Sequence, residues 1–366
     1  VLVRGHGAAV PDAAFCPQQP NLYVTATEAG WLGVWDADRC CRLHALPAGG
    51  PATAVAISPD GSFIAGGLKS GKVCLFNVYG LSKLGGHKGL PPPSTHRAPA
   101  PGVAVQSSHR TAITALQFSP DSNFLASASH DGVMEVYDAR IGAGMRRLSQ
   151  CLGHSSTIMS IDWSLDSTVI RSTCAGREIL TFDAHSGAQV TAALRDEPWA
   201  AWTSTLGFPV MGIWPEGSDS SDINSCCRAS DHKHVVTADD TGNVKLFNYP
   251  CVAKSAPANI ATGHCSHVAC VRFSPDSQRL VSAGGYDQCV LQWRLDVVSQ
   301  TPKRLHGHRH FEEARIWDLA DRPELMAALP PSSVSKAQDE IETSNRRLQK
   351  EMARLHRPVS ARGRQC

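Results

Sequence analysis

Residues 263–293, GHCSHVACVRFSPDSQRLVSAGGYDQCVLQW, contain the pattern that decides the fold. The stretch begins with a Gly-His pair and an alternating strand, and the turn SPDS at 274–277 follows. A second apolar run with small residues, another turn and a strand ending in Trp293 complete it. Three short strands joined by turns cannot bury both of their faces alone, so such a unit must stack beside copies of itself.

Copies of this unit recur along the chain. The turn returns as CPQQ at 16, SPDG at 58, SPDS at 119 and SLDS at 164. The strand that ends in an aromatic residue occurs as LGVWD (32–36), VCLFN (73–77), MEVYD (134–138), ILTFD (179–183), VKLFN (244–248) and VLQWR (290–294). Uninterrupted units are spaced by roughly 42–45 residues, which is typical of WD repeats. We therefore predict an all-β protein, a WD-repeat β-propeller over residues 1–300 with six recognisable units.

The two ends of the repeat region suggest a larger ring. Val1–Val3 resembles an outer strand whose own blade lies upstream, and residues 297–306 are predicted to complete the sixth blade. On this interpretation a seventh blade comes from sequence outside this chain, as in a seven-bladed ring or a tandem propeller. The start at Val1 favours the same expectation, that the chain is a fragment.

WD repeats hold their turns with a hydrogen-bonded tetrad of His, Ser, Asp and an aromatic residue, and this sequence supplies the set unevenly. The candidate tetrad residues are His109, Ser127, Asp131 and Tyr137; His264, Asp287 and Trp293; His6 and Trp35; and His154. The unit with His109 has the fullest set. Gly176 stands at the aspartate's place in the unit with His154. We expect the blades without a full set to be held by packing.

These histidines also allow a metal or catalytic interpretation, which is strongest at GHCSHVAC (263–270). Since no second Cys/His pair stands at zinc-finger spacing, the structural interpretation is favoured. HGHRH at 306–310 is predicted to be a linker, with adventitious metal binding as the alternative. We expect no metal, no cofactor and no catalytic residues.

Composition indicates a globular protein, with 42% hydrophobic and 19% charged residues and a net charge of +2. Thirteen cysteines without a framework spacing, and no signal peptide, favour free thiols in a reducing compartment. We therefore expect a cytoplasmic location, with neither a membrane nor a nucleic acid as partner.

Two insertions interrupt the repeat. Residues 79–106 contain five prolines and no acidic residue, which predicts a flexible loop, with a basic contact arm as the alternative. Residues 191–216 contain the uncharged stretch 198–215 and its three tryptophans. We predict an additional pair of short strands there, WAAWTSTLGF and VMGIW, packed as a local core. An interface between propellers would use the same residues.

Four segments resemble the echinoderm microtubule-associated protein-like family. They are GHSSTIMSIDWSLDS (153–167), WAAWTSTLGFPVMGIWPEGSDSSDINSCCRA (199–229), DDTGNVKLFNYPC (239–251) and the segment 263–293. The TLGF…WPEGSD…DIN block is far more specific than a WD match. The resemblance implies the second of two tandem propellers, with Trp199, Trp202, Phe208 and Trp214 in a family-signature core. It also implies binding to tubulin or microtubules, and the family's front motif is absent from this chain.

After residue 300 the repeat stops. Residues 301–332 are predicted to be a linker, 333–357 a helix and 358–366 a basic tail. From residue 343 onward seven basic residues face Glu351 alone, whereas residues 1–300 carry 22 basic and 24 acidic side chains. The candidate partner-binding residues are Arg346, Arg347, Lys350, Arg354, Arg357, Arg362 and Arg364. The alternative is a solvated helix that packs on its own propeller.

These observations lead to a functional prediction. We expect a non-enzymatic cytoskeletal protein that binds microtubules or tubulin with a rigid propeller and a basic extension. A generic WD-repeat adaptor that assembles another complex is the alternative, and an enzyme ranks third. The expected location is the cytoplasm and cytoskeleton, with the ciliary axoneme and its proteins as a narrower possibility.

Overall fold

The structure is a computed structural model that describes residues 2–3, 6–77, 103–107, 109–140, 144–192, 194, 197–218 and 222–295. The loop predicted at 79–106 lies outside these residues except for its end, where a strand begins at Val103. The linker, helix and tail predicted from residue 301 onward lie outside them as well, so those boundaries stay predictions.

The described residues form a WD-repeat β-propeller of six antiparallel sheets. The first three sheets each contain four strands in chain order. Their strands are β2 (Asp12–Cys16), β3 (Gln19–Ala26), β4 (Trp31–Asp36) and β5 (Cys41–Pro47); β6 (Ala52–Ile57), β7 (Phe63–Leu68), β8 (Lys72–Asn77) and β9 (Val103–Ser107); and β10 (Ile113–Phe118), β11 (Phe124–Ser129), β12 (Met134–Asp138) and β13 (Arg147–Cys151).

The last three sheets follow the same order with two differences. The fourth has three strands, and the sixth takes its outer strand, β1 (Leu2–Val3), from the start of the chain. Their other strands are β14 (Ile158–Trp163), β15 (Val169–Cys174) and β16 (Ile179–Asp183); β17 (Ile223–Arg228), β18 (His234–Asp239), β19 (Asn243–Asn248) and β20 (Asn259–Thr262); and β21 (Val268–Phe273), β22 (Arg279–Gly284) and β23 (Val290–Arg294).

The position of β1 corrects the sequence-based expectation about the ends of the ring. Leu2 pairs with Leu291 and Val3 with Val290, so the first residues complete the sixth sheet. An upstream blade for Val1–Val3 was therefore the wrong assignment, and residues 297–306 are not needed as the outer strand. This pairing joins the two ends of the repeat region and leaves β23 without a free edge on that side.

Apolar side chains between neighbouring sheets form the core. One cluster joins the first and second sheets around Val24, Leu32 and Ile64, and another joins the sixth and first around Tyr23 and Val281. The third and fourth sheets share a cluster around Met134. Among the described residues, no such cluster joins the fourth and fifth sheets directly; Trp202, Val210 and Ile213 of the insertion pack on the fifth sheet instead.

The insertion does not form the predicted pair of strands. Phe208–Ile213 is a 3₁₀ helix, and Trp199 makes an isolated β-bridge with Ser164. Two glycines explain why VMGIW cannot be a strand. Gly207 has φ of 123°, and a Cβ on Gly212 would lie 2.1 Å from the Ala253 carbonyl oxygen. The chain turns tightly at the first and approaches another segment closely at the second.

In the described part of the chain, no helix has the length and apolar character needed to cross a membrane.

Candidate functional site

His264 is the centre of a complete hydrogen-bonded tetrad in the sixth sheet. Its Nδ1 lies 2.7 Å from Asp287 Oδ2 and its Nε2 lies 2.8 Å from Ser282 Oγ. The indole Nε1–H of Trp293 donates to the same serine oxygen at 2.8 Å. The His264 and Asp287 side chains are almost fully buried, so the tetrad ties the strands of this sheet to its turn.

The unit with His109 is less complete than the sequence suggested. His109 Nε2 lies 2.7 Å from Ser127 Oγ, but its Nδ1 is 3.6 Å from Asp131 Oδ2, which is too far for a hydrogen bond. The Tyr137 hydroxyl donates to Glu135 at 2.5 Å. The fullest tetrad is therefore the one with His264, because Asp131 instead accepts the backbone N–H of Val133 in its own turn and that of Arg110 beside the histidine.

In the fourth sheet Gly176 stands where the repeat normally has an aspartate, and the carboxylate of Glu178 lies near the histidine instead. His154 Nε2 lies 2.7 Å from Ser172 Oγ, and its Nδ1 is 3.6 Å from Glu178 Oε2. The backbone N–H and hydroxyl of Ser155 donate to Glu178 and lower the pKa of that carboxyl to about 2. Burial lowers the pKa of His154, so the ring is neutral at pH 7.

His6 and Trp35 pack their rings together at a tilt, and no tetrad forms. Their ring centroids are 4.4 Å apart, and Trp35 Nε1 donates to Thr25 Oγ1 at 2.9 Å. Within the described part of the chain, neither nitrogen of His6 has a hydrogen-bond partner. Burial, with the charge of Arg42, lowers the pKa of His6 to about 4. His6 is held by packing, as expected for a degenerate repeat.

The serines at the centre of these sets could have been found from spacing. Ser127, Ser172 and Ser282 each follow their histidine by 18 residues. Only Ser127 was singled out from the sequence. By contrast, the repeat pattern could not identify Glu178, because this residue lies two positions after Gly176, where the pattern expects no acidic residue. Its longer side chain brings Oε2 to 3.6 Å from His154 Nδ1.

The tryptophan insertion is anchored by a buried ion pair. Arg171 Nη2 donates to Asp162 Oδ2 at 2.6 Å, and both side chains are buried. The guanidinium lies 3.8 Å from the ring centroid of Trp202 and 4.4 Å from that of Trp199. The two indoles thus enclose the cation, a cation–π arrangement that the sequence did not reveal.

Backbone contacts place residues 199–203 between the inner strands of two sheets. Ala200 N donates to Trp163 O at 2.9 Å, and Thr203 N donates to Asp162 Oδ1 at 2.8 Å. On the other side, Arg228 N donates to Trp202 O at 3.1 Å. The segment therefore connects β14 to β17 where a further inner strand would lie.

The four signature residues differ in burial. Trp202 is 6% exposed, and its Nε1 donates to Ser204 O at 2.9 Å. Trp199 and Trp214 are half-buried, and Trp214 Nε1 donates to Thr205 O. Phe208 is 70% exposed, so its assignment to the core was wrong. It begins the 3₁₀ helix, and Met211, three residues later on the same side, is also exposed.

A central cavity of about 920 Å³ runs along the inner strands. Side chains from all six sheets line it, and Ala200, Ala201 and Thr203 of the insertion complete the wall. Asp12 and Arg272 form an ion pair of 3.0 Å between the first and sixth sheets. The lining thus mixes small, apolar and polar groups.

The tetrad of His264 imitates a Ser-His-Asp triad in geometry. Its serine, Ser282, has no exposed surface and already accepts the Trp293 indole N–H. A catalytic serine must reach a substrate carbonyl, which this one cannot do. The basic residues predicted to bind a partner, from Arg346 to Arg364, lie outside the described residues.

Sequence comparison gives a consistent result. The family described as Echinoderm microtubule-associated protein second beta-propeller matches residues 13–295. Echinoderm microtubule-associated protein-like 1 of Mus musculus is 38% identical over 297 residues, which cover 80% of this chain and 34% of that protein. Echinoderm microtubule-associated protein-like 2 of Mus musculus is 35% identical, with 81% of this chain and 43% of that protein covered. Echinoderm microtubule-associated protein-like 3 of Homo sapiens is 33% identical, with 80% of this chain and 31% of that protein covered. The chain thus spans less than half the length of these relatives.

Proposed function

The chain belongs to the echinoderm microtubule-associated protein-like family, as a second β-propeller, and on that premise we propose that it is a non-enzymatic protein that binds microtubules or tubulin. The observation that carries the proposal is that the family match extends over nearly the whole propeller, from residue 13 to 295. The named relatives are microtubule-associated proteins by their descriptions.

The proposed mechanism uses the ring as a rigid platform. Neighbouring sheets share buried clusters, and between the fourth and fifth the insertion makes the connection, so the loops at their ends are held at fixed separations. A large filament can therefore be contacted at several loops without an ordering cost at each one. Because residues 1–300 carry a net charge of −2, attraction to acidic tubulin comes from the residues beyond 342, which carry +6.

Co-sedimentation of the full chain with polymerised tubulin tests the proposal. We expect the pelleted fraction to rise with microtubule concentration and to fall as salt is raised, because a Debye length of about 8 Å at physiological salt screens exposed charges. A chain that stays in the supernatant at low salt, while unpolymerised tubulin also fails to retain it, would contradict the proposal.

A generic WD-repeat adaptor is the second candidate. Phe208 and Met211 favour it, since two large apolar side chains on one 3₁₀ helix are exposed to solvent. Val252 is exposed beside them, following Cys251, whose carbonyl accepts the Gly212 N–H. Replacing Phe208 and Met211 by Ser in the same assay separates the two candidates: unchanged co-sedimentation places this patch outside the microtubule contact.

We further propose that the protein acts in the cytoplasm on the cytoskeleton, where the described cysteines, all free, fit a reducing compartment. An axonemal location is the narrower form of this proposal.

A further inference from the structure

His154, Cys174 and Glu178 bring three metal-ligating side chains together at the edge of the fourth sheet. A ring nitrogen, the thiol sulfur and a carboxylate oxygen all lie within 4.8 Å of one another. Glu178 Oε2 is 3.6 Å from His154 Nδ1 and 3.3 Å from Cys174 Sγ. The imidazole is 1% exposed, whereas the Glu178 side chain is 37% exposed, so the cluster is buried on one side and open on the other.

The unused nitrogen of His154 points to a ligand. Its Nδ1 is buried and has no hydrogen-bond partner among the described residues, although a carboxylate lies nearby. The corresponding nitrogen of His264 is 2.7 Å from its aspartate, close enough for the N–H to donate. At 3.6 Å from Glu178, His154 Nδ1 makes no such bond.

His264 Nδ1 lies 2.7 Å from Asp287 Oδ2 and so carries the proton, whereas the two sheets differ in whether an aromatic residue donates to the serine. In the sixth sheet Trp293 donates to Ser282 Oγ, so the serine hydrogen is free for His264 Nε2, and His264 Nδ1 carries the proton. Phe182 occupies the corresponding register position in the fourth sheet and has no N–H. Ser172 Oγ can therefore accept from His154 Nε2–H, which leaves a lone pair on Nδ1 facing the carboxylate.

Two acceptors that face each other beside a thiol are a favourable arrangement for a cation. Zn²⁺ bonds of about 2.0–2.1 Å to nitrogen, 2.0–2.2 Å to oxygen and 2.3 Å to sulfur give ligand separations of roughly 3.3–3.7 Å in a tetrahedral site. The separations of Glu178 Oε2 from His154 Nδ1, 3.6 Å, and from Cys174 Sγ, 3.3 Å, each lie within about 0.2 Å of the range for that pair of ligands. Gly176 keeps the cluster uncovered, because a Cβ there would lie 3.0 Å from Ser155 Oγ and 3.3 Å from Cys174 Sγ.

We propose that His154 Nδ1, Cys174 Sγ and Glu178 form a site for a borderline-soft divalent cation, Zn²⁺, with a fourth position open to solvent. Thiolate and imidazole ligands select this class of metal over Mg²⁺ or Ca²⁺. Binding forms a Zn–S bond and releases the thiol proton to solvent; His154 and Glu178 contribute lone pairs and lose no proton.

Zinc titration of the full chain, reduced and metal-free, tests the proposal by calorimetry and with a competing chromophoric chelator. We expect one site that Cys174→Ser and Glu178→Gln each weaken at least tenfold, with about one proton released per zinc in wild type. Co²⁺ in place of zinc should give a thiolate-to-cobalt charge-transfer band that Cys174→Ser removes. Mg²⁺ should not compete.

Cys74→Ser is the matched control, because Cys74 is buried in the second sheet and its thiol donates to the Gly66 carbonyl. It should leave the zinc affinity and the cobalt band unchanged. Circular dichroism establishes that each variant is folded, and Glu178→Gln changes a partly exposed side chain. Equal zinc affinity in wild type, Cys174→Ser and Glu178→Gln, or a cobalt spectrum without a thiolate band, would overturn the proposal.

Discussion

His264 and His109 occupy equivalent places in their sheets, yet their Nδ1 atoms have different surroundings. His264 Nδ1 is 2.7 Å from Asp287, and both side chains are almost fully buried. His109 Nδ1 is 3.6 Å from Asp131, whose side chain is 17% exposed. A buried donor that loses its partner costs its full desolvation free energy, so the two aspartates should contribute differently to stability.

Asp287→Asn should destabilise the protein by about 1–3 kcal/mol, because an amide has one acceptor oxygen whereas the carboxylate accepts from both His264 Nδ1–H and Cys289 N–H. Asp131→Asn is the matched control and should cost less than about 1 kcal/mol, since the hydrogen bond to histidine is absent already. Urea unfolding of both variants measures the difference. Equal losses would mean that the His109 pair contributes as much as the shorter one.

His6 should make stability depend on pH. The folded protein lowers its pKa to about 4, so between the ordinary value of about 6.5 and 4 the unfolded chain binds more protons. The stability that the neutral ring contributes is complete above pH 6.5 and is lost as the pH falls toward 4. His6→Phe keeps an aromatic ring against Trp35 and removes the titration.

The expected difference is about 3 kcal/mol: from pH 7 to pH 4, wild type should lose that much more free energy of unfolding than His6→Phe. Urea titrations at several pH values measure both. The other histidines are the same in the two proteins, so their titration cancels. Parallel pH profiles would show that His6 titrates normally in the folded state.

For single residues, the sequence predicted which residue types take part in the tetrads better than it predicted which of them form hydrogen bonds. The histidine and the aromatic residue were identified for the third and sixth sheets, and the serine 18 residues after the histidine only for the third. Whether Asp131 reaches His109 depends on about 1 Å of turn geometry, which no residue pattern encodes. Glu135 and Glu178 were missed because neither stands at a position of the tetrad pattern: Glu135 accepts from Tyr137, and Glu178, two residues beyond Gly176, accepts from Ser155.

The element that most departs from the repeat is the insertion between the fourth and fifth sheets. Its backbone bonds to Trp163 on one side and Arg228 on the other, and its residues line the central cavity with the inner strands. Residues 199–203 therefore act as a single inner strand without a blade behind it. The Arg171–Asp162 pair fixes this element, since Asp162 also accepts from Thr203.

Trp202→Ala should destabilise the protein by about 3–5 kcal/mol, because it removes a buried indole and leaves the Arg171 guanidinium without one of its two rings. Phe208→Ala is the matched control from the same segment. As an exposed side chain, Phe208 should contribute within about 0.5 kcal/mol. Thermal and urea unfolding of both variants measure the contrast. A Trp202→Ala protein of wild-type stability would make the insertion a surface element.

The sequence predicted that an apolar element lies here, and it gave the wrong secondary structure. Three tryptophans and no charges over 198–215 indicate burial in either case. Whether the element is a strand or a 3₁₀ helix depended on two glycines. Gly207 has a positive φ, and Gly212 packs closely against Ala253. Phe208 was assigned to the core by its place in the motif, although a 3₁₀ helix directs it outward.

In the propeller as a whole, two segments that do not belong to the repeat pattern provide contacts that the repeats themselves do not make. β1 supplies the outer strand of the sixth sheet, and residues 199–203 connect the fourth to the fifth. The number of repeats therefore predicted the six sheets correctly. The expectation of a seventh blade came from residues 1–3 and 297–306, and the local sequence does not show which strand such end segments pair with. The order of contacts around the ring depends on tertiary pairing.

The basic tail gives the last prediction, which concerns the proposed contact with microtubules. The tail carries +6 after residue 342 and the first 300 residues carry −2, so an acidic filament should attract the tail in preference to the ring. Reversing Arg346, Arg347, Lys350 and Arg354 to Glu should weaken co-sedimentation and make its salt dependence shallower, with an unchanged melting temperature.

A control variant with the same change in net charge shows whether binding depends on where the basic residues lie or only on the total charge of the protein. Lys69, Lys72, Lys233 and Lys254 are exposed on the propeller, and their reversal to Glu also changes the net charge by −8. If the tail makes the contact, the propeller variant should bind more tightly than the tail variant at physiological salt, because screening over about 8 Å confines the effect of each charge to its neighbourhood. Equal weakening by both variants would indicate attraction to the whole molecule, and unchanged binding by the tail variant would assign the contact to the propeller face.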